Sequence, residues 1–129
     1  METQKKKIES FMDLDAWKES HKLVIQIYLG TKHFPKEEIF GLVSQMRRAV
    51  ISITSNIAEG FSRNSFKEKL QFYSIGLGSL TELYNQVIAA RDIGYLSLGQ
   101  YTNFEQQIIV VNKILSGLIK STRFKIQNS

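Results

Sequence analysis

The sequence predicts an all-α protein, an antiparallel up-down-up-down bundle of four helices. Apolar residues recur at spacings of three, four and seven through four long stretches, as on the buried face of a helix. The 129 residues include one proline and few clusters of turn residues, which argues against many strands. The four stretches are joined by short connections, which place consecutive helices side by side in opposite directions.

The length predicts one domain, with a basic flexible tail over residues 1–10, the bundle over 11–122 and a flexible tail over 123–129. The first helix is expected to begin near Asp13 or Asp15, because acidic residues favour a helix N-terminus. It ends at the Phe34-Pro35 pair, since the residue before a proline is disfavoured in the helical region. Its predicted core stripe consists of Leu14, Trp17, His21, Val24, Ile25 and Tyr28.

The second helix, over about 41–61, has two contrasting faces. Its apolar face carries Leu42, Met46, Ala49, Val50, Ile53, Ile57 and Gly60. The opposite face carries mostly short polar side chains: Ser44, Arg48, Ser52, Ser55, Asn56 and Glu59. Serine and asparagine lower helix propensity, so something should compensate for them. A hydrogen-bonded contact with a neighbouring helix is the favoured reading, a bound polar ligand is the second, and plain solvent exposure is the third.

Capping residues delimit the third helix. Ser65 with Glu68 forms a capping-box pattern that starts the third helix, and Gly94 stops it after about Ile93. Gly76 and Gly78 lie inside this helix, where each costs about 1 kcal/mol relative to alanine. We therefore expect another backbone to approach closely there. The fourth helix covers about 97–122, with a core side of Tyr101, Phe104, Ile108, Val111, Leu115 and Leu118.

Composition excludes several classes of chemistry. The chain has no cysteine, so it has neither disulfides nor thiolate metal sites. His21 and His33 lack the Glu-x-x-His spacing of di-metal bundles, and Gly76-Leu77-Gly78 does not continue into a dinucleotide-binding fingerprint. No apolar run is long enough to span a bilayer, and the N-terminus lacks the apolar segment of a secretory signal. We expect a cytoplasmic protein without catalytic residues, metal, cofactor or membrane.

Charge placement indicates a polyanionic partner. The formal net charge is +5. In the predicted topology the termini and the connection between the second and third helices share one end. That end holds eleven basic residues against seven acidic ones, whereas the opposite end is balanced. Its basic residues are Lys5, Lys6, Lys7, Lys18, Lys22, Arg63, Lys67, Lys69, Lys120, Arg123 and Lys125. Nucleic-acid binding is the favoured interpretation, and basic tails that merely aid solubility are the alternative.

The third and fourth helices carry apolar residues beyond a single stripe, including Leu83, Ile109, Val110 and Ile114. A lone four-helix monomer would leave part of this surface in water. We therefore expect a cyclic homo-oligomer, because closed symmetry is the rule among homo-oligomers. A monomer with scattered surface apolar residues is the alternative.

The sequence also resembles one protein family, over about residues 11–120. The residues that carry the resemblance are Phe11, Asp13-Leu14, Trp17-Lys18, Phe34-Pro35-Lys36-Glu37-Glu38, Phe40-Gly41-Leu42, Gln45, Arg47-Arg48-Ala49, Ser52-Ile53, Asn56-Ile57-Ala58-Glu59-Gly60, Asp92 and Gly94-Tyr95. It resembles the bacterial four-helix-bundle proteins encoded by intervening sequences in large-subunit ribosomal RNA genes. Thr54 and Ser55 depart from the residues expected at those positions.

The resemblance implies a bundle that assembles as a homopentamer, without enzymatic activity or cofactor. The chain is more remotely similar to the pentameric accessory proteins of diversity-generating retroelements, which have basic surfaces and bind RNA and a reverse transcriptase. The resemblance to the intervening-sequence family marks Arg47, Arg48, Asn56 and Glu59 as family-typical polar positions without assigning them a role.

Two functional hypotheses follow. In the first, an oligomeric bundle binds RNA or DNA, with Arg63, Lys67, Lys69, Lys120 and Arg123 contacting phosphate. In the second, a structural or adaptor oligomer recruits a protein partner, such as a reverse transcriptase, through the polar face formed by Arg47, Arg48, Asn56 and Glu59. An enzyme, for instance one using Glu59 and Glu82 as paired carboxylates, is a distant third.

Overall fold

The structure, a computed structural model, describes residues 7–128. This part of the chain contains four long helices, two short 3-10 helices at Phe11–Asp13 and Lys36–Glu38, and no strand. The predicted all-α class with four helices is therefore confirmed. None of these helices is long and apolar enough to cross a membrane. The long helices are α1 (Asp15–Gly30), α2 (Leu42–Ser62), α3 (Phe66–Ile93) and α4 (Leu98–Gln127).

Of the capping box predicted for α3, the half that Ser65 supplies is formed. The Ser65 hydroxyl accepts from the Glu68 backbone N–H at 3.1 Å, and Gly94 ends α3 in the left-handed region at a φ of 98°. Ser97 and Gln100 cap each other reciprocally at the start of α4. α4 differs at its other end, because it continues to Gln127 instead of ending near residue 122. No glycine or proline interrupts residues 123–127, and these residues continue the helix beyond its predicted end.

Two pairs of helices, α2 with α3 and α3 with α4, contact each other with residue numbers that rise in one helix as they fall in the next. Between α2 and α3, Gly60 lies against Tyr73 and Ser52 bonds Ser79. Between α3 and α4, Tyr84 bonds Glu105, while the Lys125 ammonium lies 5.5 Å from the centre of the Phe66 ring. α1 contacts both α2 and α4.

The core face of α2 is predicted correctly, whereas that of α1 is predicted only in part. Met46, Ala49, Val50, Ile53 and Ile57 of α2 are all buried. On α1, however, Ile25, Tyr28 and His21 are exposed. Val24 of the predicted stripe is buried, and Leu14 and Trp17 pack against the core. The helix also buries Ala16, Ser20, Leu23 and Ile27. It carries two apolar stripes, and the one that includes small residues packs inward because Ala16 and Ser20 leave room for neighbouring helices.

The glycines of α2 and α3 meet different surroundings. A Cβ on Gly76 would lie 3.6 Å from the Ile53 carbonyl oxygen, so the α2 backbone is close, as expected. The same expectation is wrong for Gly78, because a Cβ there would meet nothing within 4 Å among the described residues. At Gly60 of α2, by contrast, a Cβ would lie 2.6 Å from the Tyr73 ring.

Alanine substitutions at Gly60 and Gly78 are therefore expected to change stability in opposite directions. Gly78→Ala should stabilise the fold by about 1 kcal/mol through helix propensity. Gly60→Ala should destabilise it by about 1–3 kcal/mol, because the buried Tyr73 ring cannot yield without overpacking the core. Urea unfolding followed by circular dichroism measures both. If both substitutions changed the free energy of unfolding in the same direction, the assignment of Gly60 as crowded and Gly78 as uncrowded would be contradicted.

Candidate nucleic-acid interface

Three chain segments that are distant in sequence line one cavity of about 250 Å³. Ile8 and Leu14 come from the N-terminal segment, and Phe61 comes from the end of α2. The start of α3 and the end of α4 complete the wall, with Phe66, Lys69, Tyr73, Leu118, Thr122 and Lys125. We call this part of the molecule the basic end, defined by Arg63, Lys67, Lys69, Lys120, Arg123 and Lys125. Lys5 and Lys6, which were assigned to the same end, lie outside the described residues.

Lys69 is engaged within the chain. Its ammonium donates to the Phe61 carbonyl at 2.7 Å and to the Gly60 carbonyl at 3.3 Å. These carbonyls belong to the last turn of α2, where backbone acceptors have no partner inside the helix. Burial lowers the pKa of Lys69, and repulsion from Lys125 lowers it further. The side chain thus joins the end of α2 to the start of α3.

Arg63 is held more loosely than Lys69. Its guanidinium pairs with the Glu59 carboxylate at 3.1 Å and lies 4.6 Å from the centre of the Phe72 ring. Both charged side chains of the ion pair are about half exposed. Exposed ion pairs contribute little to stability, so a phosphate can compete with Glu59 for the guanidinium.

The remaining cations of the basic end face solvent. Lys67, Lys120 and Arg123 are exposed, and within residues 7–128 they form no hydrogen bond or ion pair. Lys125 is also exposed and lies over the Phe66 ring. Lys67, Lys120 and Arg123 are therefore the most accessible of the five residues predicted to contact phosphate.

The polar face of α2 divides into an engaged half and an exposed half. Arg47 donates to the Thr31 hydroxyl at 3.1 Å and to the Tyr28 carbonyl at 3.3 Å. It thereby provides a hydrogen-bond donor for a backbone carbonyl in the last turn of α1. The Asn56 amide donates to the Ser52 carbonyl at 2.7 Å, and the Ser52 hydroxyl lies 2.8 Å from that of Ser79 on α3. Hydrogen bonds within α2 and to α3 therefore compensate for the low helix propensity of Ser52 and Asn56 on this face.

The exposed half consists of Arg48, Ser55 and Glu59. Ser55 and Glu59 border a shallow cavity of about 370 Å³, whose other lining residues are Phe11, Ala58 and Ser62. A polar ligand or partner would meet only this half of the predicted face, since Arg47 and Asn56 are used inside the chain.

A carboxylate network that sequence patterns did not reveal ties α3 to α4. One carboxylate oxygen of Glu105 accepts from the hydroxyls of Tyr84 and Tyr101, each at 2.6 Å. These hydrogen bonds lower the pKa of Glu105 and raise the pKa of Tyr101. The Arg91 guanidinium lies 4.5 Å from the centre of the Tyr101 ring. The pair at positions 101 and 105 has helical spacing, but Tyr84 lies 21 residues away, and no local pattern indicates its role.

Neutralising this carboxylate should make stability depend less on pH. Because the folded-state pKa of Glu105 is below its ordinary value of 4.5, the carboxylate stabilises the fold above that pH. This contribution is lost as the pH falls through the lowered pKa. We expect Glu105→Gln to lower the urea midpoint at pH 7 and the difference from wild type to shrink below pH 4.5. Glu82→Gln, at an exposed position, is the control, and a constant difference at all pH values would contradict the assignment.

A second carboxylate, that of Glu38, forms hydrogen bonds between two chain segments at the end opposite the basic end. Glu38 accepts from the Tyr95 hydroxyl at 2.7 Å and from the Leu42 backbone N–H at 3.2 Å. These two hydrogen bonds lower the pKa of Glu38. The carboxylate thereby caps α2, whose N-cap residue Gly41 has no side chain to do so. The connection between α1 and α2 is thus joined to the turn after α3.

Within residues 7–128, no group of three or more histidine or acidic side chains is arranged to hold a metal ion. His21 stacks on Trp17 at 4.7 Å between ring centres, on the outer side of α1. Its predicted place in the core is therefore wrong. His33 is exposed just beyond the end of α1.

Residues 12–117 match the family model described as 23S rRNA-intervening sequence protein. No curated protein matches the chain. A similar solved structure is that of a protein of unknown function from the S23 ribosomal protein family of Bacteroides thetaiotaomicron. It is 22% identical over 81% of this chain and 95% of its own, with a TM-score of 0.75. At this identity the likeness concerns the fold.

Proposed function

The chain belongs to the 23S rRNA-intervening sequence protein family, and we propose that it is a non-enzymatic homo-oligomer that binds RNA or DNA through its basic end. The observation that carries this proposal is the gathering of cations at the start of α3 and the end of α4. Lys69 and Lys125 line one cavity, and Lys67, Lys120 and Arg123 are exposed on the same two helix ends. Each phosphate that a cation neutralises releases condensed counterions from the nucleic acid. Cations gathered at one end act on neighbouring phosphates together.

The proposal includes the up-down-up-down arrangement of antiparallel helices. It is supported by the opposed residue order in the contacts between α2 and α3 and between α3 and α4. This arrangement brings the start of α3 and the end of α4 to the same end of the subunit. It leaves Glu38 and Tyr95 at the other end.

The proposal also includes assembly of identical subunits into a closed ring, a pentamer. Large apolar side chains on three helices support it, because Ile25, Leu29, Ile75, Ile109 and Val110 are between 38% and 55% exposed. Because these side chains are already about half buried, each contributes about 1 kcal/mol when it becomes fully buried between subunits. A ring would also repeat the basic end once per subunit and so multiply the positive field.

Binding measured over a series of salt concentrations tests the nucleic-acid proposal. A labelled RNA is titrated with protein from 50 to 300 mM KCl, and light scattering gives the mass of the protein alone and of the complex. We expect the logarithm of the association constant to fall linearly with the logarithm of salt, with a slope of about −2 to −4 for three to five phosphate contacts. An affinity that does not change with salt would contradict phosphate contact.

A second candidate function is that of an adaptor oligomer that recruits a protein, such as a reverse transcriptase. The observation that favours it is an exposed apolar pair at the end opposite the basic end. Phe40 is 97% exposed there, beside the half-exposed Ile39. One end would then hold nucleic acid and the other a protein surface. Replacing Phe40 and Arg48 by alanine should abolish capture of the partner and leave nucleic-acid affinity unchanged. Loss of both activities together would argue against separate surfaces.

A further inference from the structure

A third cavity, of about 470 Å³, opens at the connection between α2 and α3, where the last turn of α4 closes its side. Its lining consists of Asn64, Ser65, Phe66, Lys67 and Ile126. Small-molecule sites usually occupy about 300–1,000 Å³, so the space is large enough for one nucleotide. The lining combines an aromatic ring, an aliphatic side chain, an amide and an ammonium group. These are the groups that a nucleobase and its phosphate require.

Phe66 does not serve the hydrophobic core. It is 39% exposed, and within the described residues it is absent from the core cluster and from the partly buried side chains that pack against that cluster. The same ring lines both this cavity and the neighbouring one of about 250 Å³. An aromatic residue at the first position of α3 is therefore held at the surface, between two open spaces.

Cations accompany aromatic rings throughout this end of the molecule. The Lys125 ammonium lies 5.5 Å from the centre of the Phe66 ring, and Lys69 lies 5.4 Å from that of Phe61. The Arg63 guanidinium lies 4.6 Å from the centre of the Phe72 ring. Stacking surfaces beside backbone-binding cations are the combination by which proteins hold single-stranded nucleic acid.

Duplex nucleic acid cannot use such a ring, because its base faces are stacked on one another. We propose that the Phe66 cavity binds an unpaired nucleotide, with the base stacked on Phe66 and its phosphate on Lys67. The ligand class is thus single-stranded or looped RNA or DNA. This inference rests on the proposed nucleic-acid binding and adds that base stacking, not charge alone, selects the form of the nucleic acid.

Asn64 supplies a hydrogen-bonding group beside the ring. Its side-chain amide forms no hydrogen bond among residues 7–128, so both its donor and its acceptor can meet the edge of a base. The Ser65 hydroxyl already accepts from the Glu68 N–H and caps α3. Specificity for particular bases is therefore expected to depend on Asn64 rather than on Ser65.

The test compares a fluorescein-labelled 12-nucleotide single-stranded RNA with the duplex of the same sequence. Fluorescence anisotropy is measured for wild type, Phe66→Leu, Phe66→Trp and Phe40→Leu. Leucine keeps an apolar side chain but removes the stacking face, and tryptophan restores it. Phe40→Leu makes the same change at the opposite end. A second probe, the same RNA with one 2-aminopurine, reports stacking directly through quenching of its fluorescence.

We expect wild type to bind the single strand more tightly than the duplex, and Phe66→Leu to weaken single-strand binding about 5- to 10-fold. Phe66→Trp should recover the affinity and the quenching, while Phe40→Leu should behave as wild type. Urea midpoints are measured for all variants, so that a folding defect is recognised.

Equal affinity for single strand and duplex, or wild-type binding and quenching by Phe66→Leu, would overturn the stacking inference. If binding still falls with salt in those cases, the proposed function stands without it. Absence of binding to either RNA would overturn both.

Discussion

Replacing Lys67, Lys120 and Arg123 together by glutamine is expected to weaken nucleic-acid binding about 100- to 500-fold at 0.1 M salt. These three side chains are exposed and form no ion pair within the described residues. Each phosphate contact that is lost prevents the release of about 0.7–0.9 counterions, which corresponds to a factor of about 5–8 in affinity at this salt concentration. Anisotropy titrations with labelled RNA at several KCl concentrations measure the loss.

The slope of the salt dependence provides a second measurement on the same variant. It should become less steep by about two to three, because three cations no longer displace counterions. Stability should change little, since none of the three side chains holds another part of the described chain. The slope therefore separates lost phosphate contacts from a damaged fold.

A matched control removes the same charge away from the basic end. Lys32, Lys36 and Arg48, replaced together by glutamine, lower the net charge equally but leave the basic end intact. If binding depends on the placement of charge, this variant should keep most of its affinity. Equal losses in the two triple variants would mean that only net charge matters, which contradicts a localised interface.

Lys69 needs a separate variant because its ammonium already bonds the last carbonyls of α2. Its replacement would disturb the junction of α2 and α3 and would confuse a structural loss with a lost phosphate contact. The same reasoning excludes Arg63 from the triple variant, because Glu59 and Phe72 hold its guanidinium.

Ile53→Ala is expected to destabilise the fold by about 2–5 kcal/mol. The Ile53 side chain is fully buried in the centre of α2, and its truncation leaves a cavity that rigid neighbouring helices cannot close. The loss is a large part of the total stability of a typical domain, which is about 5–15 kcal/mol. Urea unfolding at several protein concentrations, followed by circular dichroism, measures it.

Ile75→Ala on α3 is the control for Ile53→Ala. Ile75 is 55% exposed in the single chain, so its truncation should change the stability of a monomer by no more than about 0.5 kcal/mol. In a ring that buries Ile75, the same substitution would lower the mass measured by light scattering. A large loss of stability without a change in mass would contradict the exposed position of Ile75.

Local sequence was sufficient to delimit the third helix. Ser65 and Gly94 act within one helical turn of their own positions, so the predicted bounds of α3 agree with the structure. α4 was predicted too short, because the apolar pattern fades after Thr122 although nothing in the sequence ends the helix. The outer half of the polar face on α2 could not be separated from the engaged half, since Ser52 finds its partner on α3.

The choice of buried face on α1 is the clearest failure of pattern analysis. His21, Ile25 and Tyr28 of the predicted stripe are exposed. Val24 of that stripe is buried, together with Ala16, Ser20, Leu23 and Ile27, which the prediction left out. Periodicity indicates how apolar a helix face is. The face that becomes buried also depends on how closely a neighbouring helix can approach it. Small residues therefore mark the contact, and their effect becomes visible only when the neighbouring helices are in place.

The amino-acid pattern alone established the all-α class, the family and an excess of positive charge, because each depends on composition or on residues within a few turns of one another. It did not distinguish the solvent-facing Lys67 from Lys69, two residues away, which caps another helix. Nor did it reveal that Glu105 holds Tyr84, or that Phe66 borders an open cavity. Those roles depend on side chains brought together from distant segments, and only folding creates such neighbours.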